Sequence, residues 1–308
     1  MKQLSHIVFF ASLQLLFTAN ISQAQQAVFK DASGRIQIGL FYGSSAQANH
    51  PSLSIPVGGD WVVVGGGGYT DWLSQNGYGN LLTASYPDPS FSAWNLEAKD
   101  HSYEDPVILH GYALAIRVKG LTRQQLLGYV RQTTASSDYA NHPNTIASLE
   151  SGYTLLGCGF LDAYEEGSPG NMAVDSYPIN ATGCYAEGKD HLVESPGTMY
   201  SYAIGIRTTI PGVGKLVGVI QSNLSSMSPY PDASATIPYG YALTGGGADT
   251  TYYGMGQLLW KSMPTVDGRW SASSKDHDII DWGYIRAYAI GLKCSDGANG
   301  SAQPSNQR

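Results

Sequence analysis

Short apolar runs of about five to eight residues, broken by clusters of glycine, proline and asparagine, recur along most of the chain and read as β-strands. Three of these runs open with tyrosine and are near copies of one another: Tyr112-Ala113-Leu114-Ala115-Ile116-Arg117, Tyr202-Ala203-Ile204-Gly205-Ile206-Arg207 and Tyr288-Ala289-Ile290-Gly291-Leu292-Lys293. A polar triplet precedes each by about a dozen residues: Lys99-Asp100-His101, Lys189-Asp190-His191 and Lys275-Asp276-His277. Triplets and tyrosine runs keep the same spacing, 90 and then 86 residues. Agreement at two separated landmarks identifies one supersecondary unit written three times.

Further landmarks extend the match. Gln37-Ile38-Gly39-Leu40-Phe41 corresponds to Leu126-Leu127-Gly128-Tyr129-Val130 and to Leu216-Val217-Gly218-Val219-Ile220. Asn49-His50-Pro51 and Asn141-His142-Pro143 correspond to Pro229-Tyr230-Pro231. The glycine runs Gly65-Gly66-Gly67, Gly157-Cys158-Gly159 and Gly245-Gly246-Gly247 align, as do Ser85-Tyr86-Pro87, Ser176-Tyr177-Pro178 and Ser262-Met263-Pro264. The units run over about 35–118, 124–208 and 214–294, within one domain over 35–294. A polar lead (25–34) precedes them, and a tail rich in Ser, Gly, Asn and Gln (295–308) follows and is expected to be disordered.

Each unit is expected to hold four or five strands. The window Leu121–Leu127 alone has helix-forming composition, but its counterparts in the other units read as strands, so the repeat predicts strand there. Three sheets of about four strands cannot bury their apolar faces separately. Packed around a pseudo-threefold axis they share one core, which is a β-prism; a six-bladed β-propeller is the alternative.

The cysteines sharpen the alignment. Cys158 stands where the other units have Gly66 and Gly246, and Cys184 where they have Trp94 and Trp270. A tryptophan ring lying on a facing glycine explains two units, and a disulfide filling the same contact explains the third. Positions already touching can meet the Cα separation of about 5.5 Å that a disulfide needs. The pair Cys158–Cys184 is therefore predicted, leaving Cys294 single, whether buried, free or intermolecular.

Composition adds to this picture. Glycine (37) and tyrosine (21) are abundant and charged residues make up only 13%, which suits strands and tight turns. The net charge of −7, with no basic run, excludes a nucleic-acid partner. An apolar stretch from Ile7 to Phe17, followed by Ser22-Gln23-Ala24, reads as a cleaved signal peptide over 1–24. The mature chain is then expected outside the cell, or in the periplasm of a Gram-negative bacterium, where a disulfide can form.

The triplets Asp100-His101, Asp190-His191 and Asp276-His277 raise the question of catalysis. A catalytic centre needs one asymmetric constellation, whereas these recur at one structural place in all three units. The structural reading has each aspartate accepting backbone N–H bonds in the turn before the tyrosine strand, and each histidine donating to a carbonyl. A repeated ligand site is the alternative. No nucleophile, zinc or phosphate-loop motif occurs, so no catalytic residue, metal or cofactor is expected.

The loop after each glycine run is more suggestive. It carries Asp71, Trp72 and Tyr78 in the first unit, Asp162 and Tyr164 in the second, and Asp249, Tyr252 and Tyr253 in the third. Aromatic rings beside carboxylates can stack on sugar faces and accept hydroxyls, or settle at a membrane interface. Capping of the core ends by these rings is the structural alternative. Three linked weak sites would raise avidity on a repetitive surface.

Three such repeats, with apolar strands, glycine runs and aromatic loops behind a signal peptide, resemble the β-prism modules at the C-termini of bacterial and apicomplexan membrane-attack-complex/perforin proteins. They are more distantly similar to jacalin-type lectins. The resemblance implies recognition of glycan or lipid and a pore-forming protein as partner, while the repeats leave no room in this chain for a perforin domain. The expected function is lectin-like binding of cell-surface or matrix carbohydrate without enzymatic activity. A membrane-lipid module or toxin accessory is the second reading, and a hydrolase using an Asp–His pair the third.

Overall fold

The computed structural model describes residues 25–72, 79–165 and 167–295; residues 1–24, where a signal peptide is expected, Tyr78 and the expected tail at 296–308 lie outside that range. The described residues are almost entirely β-strand and turn, with a short helix at Arg123–Leu127. After β1 (Gln25–Lys30), the first unit supplies β2 (Ile36–Ser44), β3 (Ser52–Pro56), β4 (Val62–Thr70), β5 (Leu81–Pro87), β6 (Ala93–Lys99) and β7 (Leu109–Val118). Helix α1 (Arg123–Leu127) leads to the second unit, with β8 (Val130–Ser136), β9 (Asn144–Ser148), β10 (Tyr153–Tyr164), β11 (Met172–Pro178), β12 (Gly183–Lys189) and β13 (Gly197–Arg207). The short β14 (Thr209–Ile210) precedes the third unit, with β15 (Gly214–Leu224), β16 (Asp232–Thr236), β17 (Ala242–Tyr252), β18 (Leu258–Pro264), β19 (Arg269–Lys275) and β20 (Gly283–Ser295).

Each unit thus holds six described strands, not four or five, and they form two antiparallel leaves of three. The leaves do not stay together. The three sheets run β1-β2-β7-β4-β18-β19-β16, β3-β6-β5-β10-β13-β8 and β14-β15-β20-β17-β11-β12-β9. Every sheet joins a leaf of one unit to a leaf of another, in cyclic order, instead of belonging to a single unit. The seams are short: Ser262 pairs with Gly68, Phe160 with Ser85, and Ser176 with Ala248. This is three sheets of six or seven strands, not six four-stranded blades.

The glycine runs make the exchange possible. A β-bulge precedes the first glycine of each run. A methyl group on Gly65 would strike the carbonyl of Thr244, one on Gly157 that of Val64, and one on Gly245 that of Leu156, so the three units touch backbone to backbone in a ring. The second position serves its own unit: Gly66 lies under Trp94 and Gly246 under Trp270, both fully buried between the leaves. Each indole N–H is satisfied, by Ser85 Oγ at 2.9 Å and Ser262 Oγ at 3.0 Å. In the second unit Cys158 and Cys184 form the disulfide, with Cα atoms 5.6 Å apart. The third glycine sits against the next unit's strand, where Gly67, Gly159 and Gly247 face the carbonyls of Ser262, Ser85 and Ser176.

Two details correct the sequence reading. Residues 123–127 are helical, because Thr122 and Gln125 form a reciprocal capping box and Leu126 is buried against the core. Local capping prevails there over the repeat. The polar lead also contains a strand, β1, paired with β2 at a sheet edge. Cys294 is free and buried, its Sγ 3.4 Å from the Val213 carbonyl.

Candidate functional site

The polar triplets end β6, β12 and β19, and the residue after each histidine has positive φ: Ser102 (63°), Leu192 (62°) and Asp278 (61°). That turn drives the three histidines together. His101 Nε2 donates to the carbonyl of His191 (2.7 Å), His191 Nε2 to that of His277 (2.6 Å), and His277 Nε2 to that of His101 (2.9 Å). The rings lie 5.4–5.5 Å apart edge to face, and all three are buried. A carbonyl acceptor fixes each Nε2 as the protonated nitrogen. Desolvation holds the His191 imidazole down to about 4, with the neighbouring histidines and Lys189 lowering it further against the hydrogen bond to His277. Burial lowers His277 as well.

The triplet aspartates grip the following turn. Asp100, Asp190 and Asp276 accept the backbone N–H of Asp105 (3.1 Å), Ser195 (3.2 Å) and Asp281 (3.4 Å). Their imidazole partners are not the adjacent histidines but those of the upstream landmark, His50 on Asp100 (3.0 Å) and His142 on Asp190 (3.3 Å).

The lysines reach into the next unit. Lys99 donates to the Pro169 carbonyl and lies 5.5 Å from the Tyr164 ring. Lys189 donates to the Met255 carbonyl and lies 4.7 Å from the Tyr252 ring, and Lys275 lies 4.8 Å from Trp72. Burial lowers all three amines, Lys275 to about 8. The sequence places these rings on loops, but Tyr164 and Tyr252 are the last residues of β10 and β17, because the strands run on past the glycine runs. The rings of Trp72, Tyr164 and Tyr252 face lysines across the unit boundaries, a cation–π contact repeated cyclically.

Of the three carboxylates expected beside them, Asp162 and Asp249 also lie within β10 and β17, and the three do different things. Asp71 accepts the Ile108 N–H at 2.8 Å. Asp249 faces Arg286 at 3.8 Å and Tyr288 Oη at 3.4 Å. Asp162 is buried, neither oxygen has a hydrogen-bond partner among the described residues, and desolvation raises its carboxyl well above the ordinary range. Tyr253 is 71% exposed.

The surface that remains open was not singled out in the sequence. Directly beyond the histidine ring, the turn residues Tyr103, Leu192, Val193, Ile279, Ile280 and Trp282 are all exposed, Ile280 to 77% and Trp282 to 52%. Tyr103, Val193 and Ile279 donate their N–H groups to the same His101, His191 and His277 carbonyls that accept the imidazoles, which fixes this crown on the ring. Apolar residues in a turn straight after a charged triplet were the available signal. The acidic Glu104, Glu194 and Asp278 lie among them, also exposed. No protein-family model matches this chain, and no curated protein matches it.

Proposed function

We infer that the chain is a secreted, non-enzymatic recognition module of β-prism architecture that seats one end of the prism on a lipid surface. The cyclic exchange of leaves and the three-histidine ring support a pseudo-threefold axis through the molecule. The disulfide suits an oxidising compartment. One observation carries the membrane reading: six large apolar side chains, contributed by all three units, stand exposed around one end of that axis. Large apolar side chains exposed together at one end of a fold mark an interaction site, and tryptophan and tyrosine favour the water–lipid interface.

Carbohydrate recognition through Trp72, Tyr164 and Tyr252 has less support, because Trp72 is buried and all three rings are covered by a lysine reaching over from a neighbouring unit. Hydrolysis by the triplets has less still, since each triplet imidazole spends its Nε2–H on a carbonyl.

The test is co-sedimentation with phosphatidylcholine vesicles. The intact protein is expected to sediment with them, and Ile280→Asp to stay in the supernatant with its fold unchanged. Equal behaviour of the two proteins contradicts the reading.

A further inference from the structure

The three sheets carry the same outward feature, and in one of them a part is missing. In the second sheet Tyr86 stacks on Tyr202, with ring centroids 5.5 Å apart and planes within 16°. In the third, Tyr177 stacks on Tyr288 at 5.2 Å and 12°. Both pairs lean over the third glycine of the run: Gly159 is paired with Tyr202 and lies beside Tyr86, and Gly247 is paired with Tyr288 and lies beside Tyr177. Side chains two strands apart can meet only because the residue between them has none.

The first sheet keeps the geometry but not the ring. Gly67 is paired with Tyr112 and lies beside Met263, which occupies the place of Tyr86 and Tyr177. A cleft of about 340 Å³ opens there, lined by Tyr69, Asp71, Tyr112, Trp260, Lys261 and Met263. Trp260 replaces the smaller Thr83 and Val174 of the other units, so the cleft gains an aromatic wall as it loses its filling ring. The Trp260 indole N–H is held by the Ser274 carbonyl at 3.3 Å, and Tyr69 is backed by the His110 ring at 4.7 Å. The walls are thus fixed before any ligand arrives.

We propose that this cleft is a binding site for a single pyranose ring, stacked where the third tyrosine would lie. The two filled sheets show that a six-membered ring fits over the glycine. The rim selects a sugar over a bare aromatic ring. It presents the Asp71 carboxylate as acceptor and two phenolic hydroxyls that act as either, and the Lys261 ammonium, held by Asp232 and 5.2 Å from the Trp260 ring, keeps further N–H groups as donors, matching a ring edged with hydroxyl groups. Asp71 accepts the Ile108 N–H, which orients the carboxylate, and two carboxylate oxygens can accept several hydrogen bonds. The site is separate from the apolar crown and does not depend on the membrane reading.

Saturation-transfer NMR with the methyl pyranosides of glucose, galactose, mannose and N-acetylglucosamine tests this on the full mature chain. At least one glycoside is expected to receive saturation on its ring C–H groups. Met263→Tyr, which installs the ring the other sheets already carry, is expected to weaken that binding at least tenfold. Trp260→Thr, the residue of the first unit, gives a second variant that removes the wall without filling the cleft and is expected to weaken it likewise. Vesicle binding should be unchanged in both. Silence from all four glycosides, binding that survives both substitutions, or saturation of p-cresol in place of every sugar would each overturn the proposal.

Discussion

The His101 imidazole donates its Nε2–H to the carbonyl oxygen of His191, 2.7 Å away and 90 residues along the chain. The same bond recurs from His191 to His277 and from His277 to His101, so the histidine of each unit is a latch on the next, beside the lysine contacts. Replacing His191 by alanine leaves a cavity and removes a buried donor, and is expected to cost about 2–4 kcal/mol in denaturant unfolding.

The latch also makes the fold sensitive to acid. The unfolded chain takes up a proton on His191 near pH 6.5, whereas in the folded chain that group titrates only at about 4. Between those values the unfolded state binds more protons, so stability falls as pH drops from about 6.5 towards about 4. Unfolding midpoints measured across that range should decline in the native protein, with a shallower slope in His191→Ala.

The middle unit departs from its neighbours at one interior contact, where Cys158–Cys184 replaces a tryptophan on a glycine. Changing both cysteines to alanine is expected to cost about 2–4 kcal/mol. Restoring the neighbours' solution, Cys158→Gly with Cys184→Trp, should recover more than half of that loss. Gly66→Ala, which drives a methyl into Trp94, should destabilise by about 1–3 kcal/mol. Thermal or denaturant unfolding of the set decides.

Asp162 occupies the position held by Thr70 and Thr250 in the other units, where the threonine hydroxyls donate to the carbonyls of Asn80 (2.7 Å) and Val174 (2.8 Å). Its carboxyl stays protonated in the folded chain at pH values where the unfolded chain has released the proton. Stability is therefore lost as pH rises above about 4 through the raised folded value. Asp162→Thr is expected to stabilise the protein by about 1–2 kcal/mol near neutral pH and to flatten that dependence. Melting curves from pH 4 to 8 provide the comparison.

The crown has an acidic rim of Glu104, Glu194 and Asp278, and the chain carries a net charge of −7. Vesicles of phosphatidylcholine are expected to bind at least as well as vesicles containing phosphatidylserine, and added salt should not weaken binding to the former. A preference for the anionic lipid would show that charge, not apolar burial, drives the association.

The repeat landmarks made the three units and the disulfide legible in the sequence, because equivalent positions reveal equivalent contacts: Trp94 over Gly66 predicts what Cys184 can reach. They could not reveal which unit supplies the partner. A leaf paired within its own unit and one paired with the next have the same alternation, so the exchange between β4 and β18 left no trace in the pattern. The aromatic residues show the same limit. Trp72 and Tyr252 stand out in the sequence, but Tyr252 ends a strand, and the lysines facing both rings belong to other copies of the unit. The repeat predicts strand at 123–127 because the capping box of Thr122 and Gln125, which makes the segment helical, has no counterpart in the other two units.

Fluorescence of Trp282 against lipids brominated at known depths tests the seating of the crown most directly. Vesicle addition is expected to shift the emission to shorter wavelength and to quench it through bromines near the headgroup boundary, with both effects absent in Trp282→Phe. Emission unchanged by vesicles, or the same quenching in Trp282→Phe, would contradict a crown that enters the lipid.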